Sequence, residues 1–308
     1  MSLRIIRIYE RTLDMRFIVD FIKGIFIGVA NIIPGVSGGT MAVSMGIYDK
    51  LIGSINNLTK QFKKGFITLL PIILGMVAGI AAFSFIIPYC LTNFSFQTCM
   101  CFAGLIIGGI PELIISAKNA LSKENRKFNF AHITAFIILM GVAVFMAVAS
   151  PSSSGDAALK INAGMILLLL LMGAICAAAM VIPGISGSLI LMLMGYYGSI
   201  IGTISGFLTA LKNLDGPALL QSLLVLVPFG IGCILGVLLI SKLITFLLKR
   251  FESVTYFAII GLVIASPFAI FYNMEPAKFS PVSIIVGIIL LIAGAAFTYL
   301  FGKKNKEQ

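Results

Sequence analysis

The sequence predicts an all-α polytopic membrane protein made of two inverted-topology repeats, each a broken or re-entrant helical hairpin followed by three transmembrane helices. Hydrophobic residues make up 59% of the chain and charged residues 11%, with a mean hydropathy of +1.10, well beyond the roughly 45 to 50% apolar usage of soluble domains. Apolar runs near the ~20 residues that a bilayer crossing needs recur along the chain. Two Pro/Gly/Ser breaks interrupt such runs at matching places, Asn31-Ile32-Ile33-Pro34-Gly35-Val36-Ser37-Gly38-Gly39-Thr40 and Ile182-Pro183-Gly184-Ile185-Ser186-Gly187-Ser188.

The first repeat, 1–150, opens on a mixed-charge segment. Arg4, Arg7, Arg11 and Arg16 alternate there with Glu10, Asp14 and Asp20, which is no signal-peptide pattern. An apolar region from Phe17 to Leu58 follows, split by the break at 31–40, and then the basic stretch Lys60, Lys63, Lys64. Spans are expected at Phe66 to Leu91, Phe96 to Ala117 and Ile133 to Ala149, with a tight turn at Asn93 and a basic loop from Lys118 to Lys127. The second repeat, 151–308, keeps this order. A region from Ile161 to Thr209 is split at 182–188, and spans follow near Leu219 to Leu248, Tyr256 to Phe271 and Val282 to Phe301. Gly46-Ile47-Tyr48 is answered by Gly195-Tyr196-Tyr197, and Pro71, Gly75 and Gly79 by Pro228, Gly232 and Gly236. Such periodic matches mark an internal duplication.

The formal charge of +11 does not point to nucleic acid, because Lys and Arg gather in short connections beside apolar runs. If each interrupted region enters and leaves on one side, a repeat holds an odd number of crossings and the second repeat is inverted. The connections near 49–65, 118–131 and 241–255 then join both termini on the cytoplasmic face. Of the 22 Lys/Arg residues only Lys160, Lys212 and Lys278 fall outside, as the positive-inside tendency requires. The parity is the same whether the hairpin arms turn back at mid-depth or span fully. The five cysteines lack paired spacing and neighbouring histidines, so they read as packing residues.

Irregular backbone inside the hydrocarbon layer is tolerated only where protein or a wet cavity surrounds it. In each break Pro34-Gly35 or Pro183-Gly184 stops one helix, and Ser37 or Ser186 is placed to cap the next. The new helix offers free N–H groups and a partial positive charge near the midplane. With inverted repeats the two helix starts oppose each other and form a central anion site. Gly38, Gly39 and Gly187 let a ligand approach the backbone, while Ser37, Thr40, Ser186 and Ser188 supply hydroxyls. Carbonyls at the ends of the preceding arms, near Ile33 and Ile182, suit cations instead, and sequence alone does not give the net field.

Other polar positions support more than one reading. Asp20 and Lys23, three apart on the arm entering the first break, share a face and are placed to pair. Lys23 either snorkels to the surface or draws an anionic head group inward. Glu112, after Gly108-Gly109-Ile110-Pro111, is an interfacial or ion-coupling carboxylate, and Asp20 shares the second role. His132, the single histidine, reads as a residue at the membrane interface. GxxxG spacings at Gly24/Gly28, Gly75/Gly79, Gly104/Gly108 and Gly232/Gly236 read as close helix packing.

The paired IPGVSGGT and IPGISGS motifs, the Gly-Ile-Tyr or Gly-Tyr-Tyr after each, and Gly-Leu-Ile-Ile-Gly-Gly-Ile-Pro at 104–111 resemble the DUF368 family of bacterial membrane proteins over nearly the whole chain. The resemblance implies return of undecaprenyl phosphate across the bacterial cytoplasmic membrane for reuse in cell-envelope synthesis. It places the substrate at the motif positions Asn31, Gly35, Ser37, Gly38, Gly39, Thr40, Gly184, Ser186, Gly187 and Ser188. The second copy departs from the first, with Ser188-Leu189 in place of Gly39-Thr40. The architecture is also similar to that of undecaprenyl-pyrophosphate phosphatases, but Gly38 stands where their motif has Arg, and no paired intramembrane Glu motif occurs. A small-anion transporter would use the same helix ends. No cofactor is called for, the coupling ion is a proton or sodium, membrane lipids are partners, and a homodimer is compatible with the sequence.

Overall fold

The computed structural model describes residues 2–31, 36–84, 86–125, 127–149, 162–272, 274 and 280–303. Among them every regular element is an α-helix. Helix α1 (Ser2–Ala30) leads to the first break, and α2 (Gly38–Ser44) and α3 (Tyr48–Asn57) follow it. Contacts between the arms step in opposite directions along the chain. Asn31 meets Gly38, Lys23 meets the carbonyl of Met45, and Asp20 pairs with Lys50. The arms are therefore antiparallel, and the hairpin turns back on itself. Ten residues of helix rise about 15 Å, so the break stands about half of a ~30 Å hydrocarbon layer above the Asp20 level.

After the hairpin come α4 (Phe62–Phe83), α5 (Ile86–Asn93), α6 (Ser95–Ile107), α7 (Ile110–Lys123) and α8 (Phe130–Val148). The second half holds α9 (Ala163–Val181), α10 (Gly187–Leu193), α11 (Tyr197–Asn213), α12 (Gly216–Arg250), α13 (Glu252–Tyr272) and α14 (Pro281–Lys303). Seven segments among the described residues are long and apolar enough to cross a bilayer, and α10 and α11 form a further pair bent by 114°. Large aliphatic and aromatic side chains such as Val77, Phe145, Ile234 and Leu239 are exposed on these helices. Such a surface belongs in lipid.

The single span expected from Phe66 to Leu91 is instead divided into α4 and α5. Pro88 lacks the N–H that would bond back to residue 84, and α4 ends at the C-cap Ser84. At the matching place in the second half, Thr245 donates its hydroxyl to the Ser241 carbonyl inside the unbroken, 35-residue α12.

The two halves pack by the same glycine seams. A Cβ on Gly75 or Gly79 would strike the carbonyls of Phe21 or Ile25 on α1, and one on Gly232 or Gly236 those of Leu170 or Ala174 on α9. These are corresponding residues of the duplication. Gly104 likewise lies against Leu291 of α14, and Gly261 against Phe136 of α8. Each half thus lends its last helix to the other half's middle span. Without side chains the backbones approach closely, which is how small residues hold membrane helices together.

The three expected cytoplasmic connections meet on one face. The Tyr256 hydroxyl donates to Asp49 at 2.7 Å, Lys123 pairs with Glu252 at 2.7 Å, and Ser253 donates through Oγ to Glu124 at 2.7 Å. His132 belongs to this cluster and is fully buried in protein. Its Nδ1 accepts from the Asn129 N–H at 3.1 Å, which closes the capping box of α8 and leaves Nε2 to face the Ser253 hydroxyl at 3.0 Å.

Candidate intramembrane site at the meeting of two helix breaks

The sequence of the first break builds its own cap. Ser37 has extended backbone, and its Oγ accepts from the Gly39 N–H at 3.2 Å, the usual N-cap arrangement. Asn31, at the end of the incoming arm, turns its carboxamide to accept from the Gly38 N–H at 3.2 Å. The first donors of α2 are therefore already bonded within the hairpin. Gly35 lies outside the described residues.

The second break is built differently. Gly184 takes φ +77°, the left-handed region that glycine enters without strain. Ser186 precedes α10 but makes no side-chain cap, and its hydroxyl instead lies 2.8 Å from that of Ser188. Gly187 is buried against the Cys176 carbonyl of α9, and the Cys176 thiol donates to the Gly187 carbonyl at 3.3 Å. Ser188 is exposed.

The two breaks touch, 144 and 145 residues apart in sequence. The Gly184 N–H donates to Thr40 Oγ1 at 2.6 Å, and the Ser37 hydroxyl faces the Ile182 carbonyl at 3.5 Å. A Cβ on Gly39 would come within 2.9 Å of the Val181 carbonyl. The bonds that join the breaks run through the backbone of 182–184. Thr40 is fully buried and also bonds Ser266 of α13, whose hydroxyl donates to the Leu262 carbonyl. With both roles of its hydroxyl taken, Thr40 acts as a staple between repeats. Thr40→Val is expected to lower the melting temperature through a loss of about 1 to 3 kcal/mol, the cost of an unpaired buried polar group. Thr40→Ser is expected to restore it, and equal melting of Val and wild-type protein would show that the staple carries no weight.

Two turns below the break lies an ionic cluster. Lys23 is fully buried with Nζ donating to the Met45 carbonyl at 2.7 Å, the C-cap of α2. Its long side chain does not snorkel but closes the hairpin, with the cation at a helix C-terminus where the dipole favours it. Asp20 makes a direct ion pair with Lys50, and its charge also acts on Lys23, three residues on along the same arm. Glu112 stands half-buried in the first turn of α7.

None of this is repeated in the second half. At the positions matching Asp20, Lys23, Asn31 and Lys50 stand Leu169, Met172, Met180 and Ser199, and Leu169 and Met172 are fully buried in an apolar cluster. Lys50 and Ser266 were not anticipated as members of the site. A position-by-position comparison of the repeats would have raised Lys50.

A cavity of about 470 Å³ opens beside the first break. Asn31, Gly38 and Gly39 bring it against the break, and its lining, from α1, α2, α3, α4, α9 and α12, is apolar almost throughout, with Tyr48 and Cys233 among aliphatic side chains. Ile73, Met180 and Ile234 on its rim are each more than 40% exposed, so it opens sideways toward lipid. A second cavity, of about 560 Å³, lies in the charged face between Asp49, Lys123, Lys249 and Glu252.

Buried glycine seams, a lateral opening and two touching breaks inside apolar helices define an all-helical, multi-pass membrane protein. The chain belongs to the family described as VCA0040-like, undecaprenyl phosphate translocase-like, which it matches over residues 27–280. It is 30% identical over 297 residues to a polyprenyl-phosphate transporter of Staphylococcus aureus, covering 94% of this chain and 98% of that one. It is 27% identical over 269 residues to a polyprenyl-phosphate transporter of Vibrio cholerae, covering 82% of this chain and 77% of that one. No solved structure matches it.

Proposed function

We propose that this protein carries polyprenyl phosphate, undecaprenyl phosphate in the bacterial cytoplasmic membrane, from one leaflet to the other, and that it is a carrier rather than an enzyme. The observation that carries the reading is the contact between two intramembrane breaks, in a chain whose relatives are named polyprenyl-phosphate transporters. The repeats are inverted in this reading. Support comes from the span formed by α6 and α7 and from α13, the span in the same place of the second half, since the end of α7 at Lys123 and Glu124 lies beside the start of α13 at Glu252 and Ser253. The basic connections and both termini then face the cytoplasm.

The head group is held at the break by exchange of partners. Phosphate oxygens take the place of the Asn31 carboxamide at the Gly38 N–H and of Ser37 Oγ at the Gly39 N–H, while Ser37, Ser186 and Ser188 turn their hydroxyls toward the ligand. A dianion at this depth needs several charge-assisted bonds to offset its desolvation. Lys23, about 12 Å below Asn31 along α1, adds a positive charge in a low-dielectric setting. Asp20 and Glu112 are the carboxylates placed to couple a cation to the cycle.

Reconstitution in liposomes tests this. Expected is faster exchange of undecaprenyl phosphate between leaflets with no phosphate released from the pyrophosphate lipid. Phosphate release without lipid movement would make the protein a phosphatase, and uptake of inorganic phosphate in competition with the lipid would make it an anion carrier.

A further inference from the structure

We infer that the cavity beside the first break is the seat of the head-proximal isoprenoid segment of the carried lipid. This rests on the carrier reading above.

The duplication itself supplies the first argument. Ala42 and Ile72 line the cavity. Their counterparts in the second repeat, by the same registers that match the breaks and the glycine seams, are Leu191 and Phe229. Both belong to one packed cluster with Cys176, the counterpart of Ile27. The first repeat thus carries the smaller pair of side chains where the cavity lies, and the second carries the larger pair at the matching positions. A difference in side-chain volume between matching positions of a duplicated fold is not imposed by the fold.

The shape of the space supplies the second. It is apolar almost throughout, it reaches the break at Asn31, Gly38 and Gly39, and the exposed rim residues Ile73, Met180 and Ile234 face the bilayer. An amphiphile with its phosphate at the break and its chain leaving sideways into lipid fits that polarity. An ordinary membrane phospholipid does not, because its head group stays at the surface, roughly 15 Å from the break. It would bring only a chain terminus to the break. The volume of about 470 Å³ lies in the range of specific ligand sites, roughly 300 to 1,000 Å³.

The test copies the larger pair of the second repeat into the first with the double substitution Ala42→Leu, Ile72→Phe, whose side chains the fold already accommodates at the matching positions. Farnesyl phosphate, dioleoyl phosphatidic acid and inorganic phosphate are the probes, with the full chain in detergent and in liposomes. Expected is wild-type binding of farnesyl phosphate that phosphatidic acid does not displace, and a loss of roughly tenfold or more in the double variant. Unchanged farnesyl phosphate affinity in a folded double variant would overturn the seat while leaving the carrier reading intact. Absence of any polyprenyl-phosphate binding or movement by wild-type protein would overturn both.

A farnesyl phosphate analogue carrying a photoreactive group on its first isoprene unit gives a measurement on unaltered protein. Labelling at Ala42, Ile72 or Leu238 supports the seat, and labelling confined to the outer lipid-facing surface overturns it.

Discussion

Asn31→Asp is expected to abolish lipid-phosphate movement while leaving a well-folded protein. The carboxylate keeps the acceptor that the Gly38 N–H uses at 3.2 Å, and a charged acceptor at a helix start caps at least as well as a neutral one. Stability is therefore retained. Binding is not, because a phosphate that replaces this acceptor would have to sit beside a like charge. Two unit charges about 4 Å apart at an effective dielectric near 20 repel by about 4 kcal/mol, close to a thousandfold in affinity. Protonating the carboxyl makes it neutral again, so activity of the variant is expected to recover as pH falls while wild-type activity does not rise in parallel. The measurement is leaflet exchange in liposomes beside a melting curve. Wild-type rates from Asn31→Asp would remove the break from the head-group path.

The features legible in the sequence were those that residue type alone announces. Pro-Gly-Ser inside an apolar run marked both breaks, matching registers marked the duplication, and glycines four apart marked the seams that Gly75 and Gly232 now form. The face shared by Asp49, Lys123 and Glu252 followed from counting cations. What escaped was long-range contact between side chain and backbone. Nothing in the sequence says that Thr40 will receive the Gly184 N–H or that Lys23 will reach the Met45 carbonyl, since any residue presents those backbone groups. The division of the span at Pro88 was written in the sequence, but Pro71, Pro228 and Pro267 lie inside unbroken helices. In a bundle, neighbours can satisfy the freed backbone groups.

The second repeat works as an internal control on the first. Both hairpins fold, yet only one encloses charge. Leu169 and Met172 show that the arm can be packed without any ion at the levels of Asp20 and Lys23. The charges in the first arm are then a local choice, and their removal separates what they do for the fold from what they do for the ligand.

Asp20→Asn alone is expected to destabilise the protein strongly, because it leaves two cations, Lys23 and Lys50, facing each other without their carboxylate. Lys23 is fully enclosed, and breaking a buried charge set in this way costs about 3 to 5 kcal/mol. The double substitution Asp20→Leu, Lys23→Met copies the second repeat and removes the buried carboxylate and the buried ammonium together. Replacing a buried ion set by apolar residues of similar volume is neutral or stabilising in general. Lys50 then stands alone, but its side chain is 40% exposed and reaches water. The double variant is therefore expected to melt at or above the wild-type temperature while moving lipid phosphate at a small fraction of its rate, since the positive charge beneath the break is gone. If it melts normally and transports normally, the cluster is structural and the head group does not sense Lys23. If it melts as low as Asp20→Asn, the Lys23 bond to Met45 rather than charge balance holds the hairpin shut.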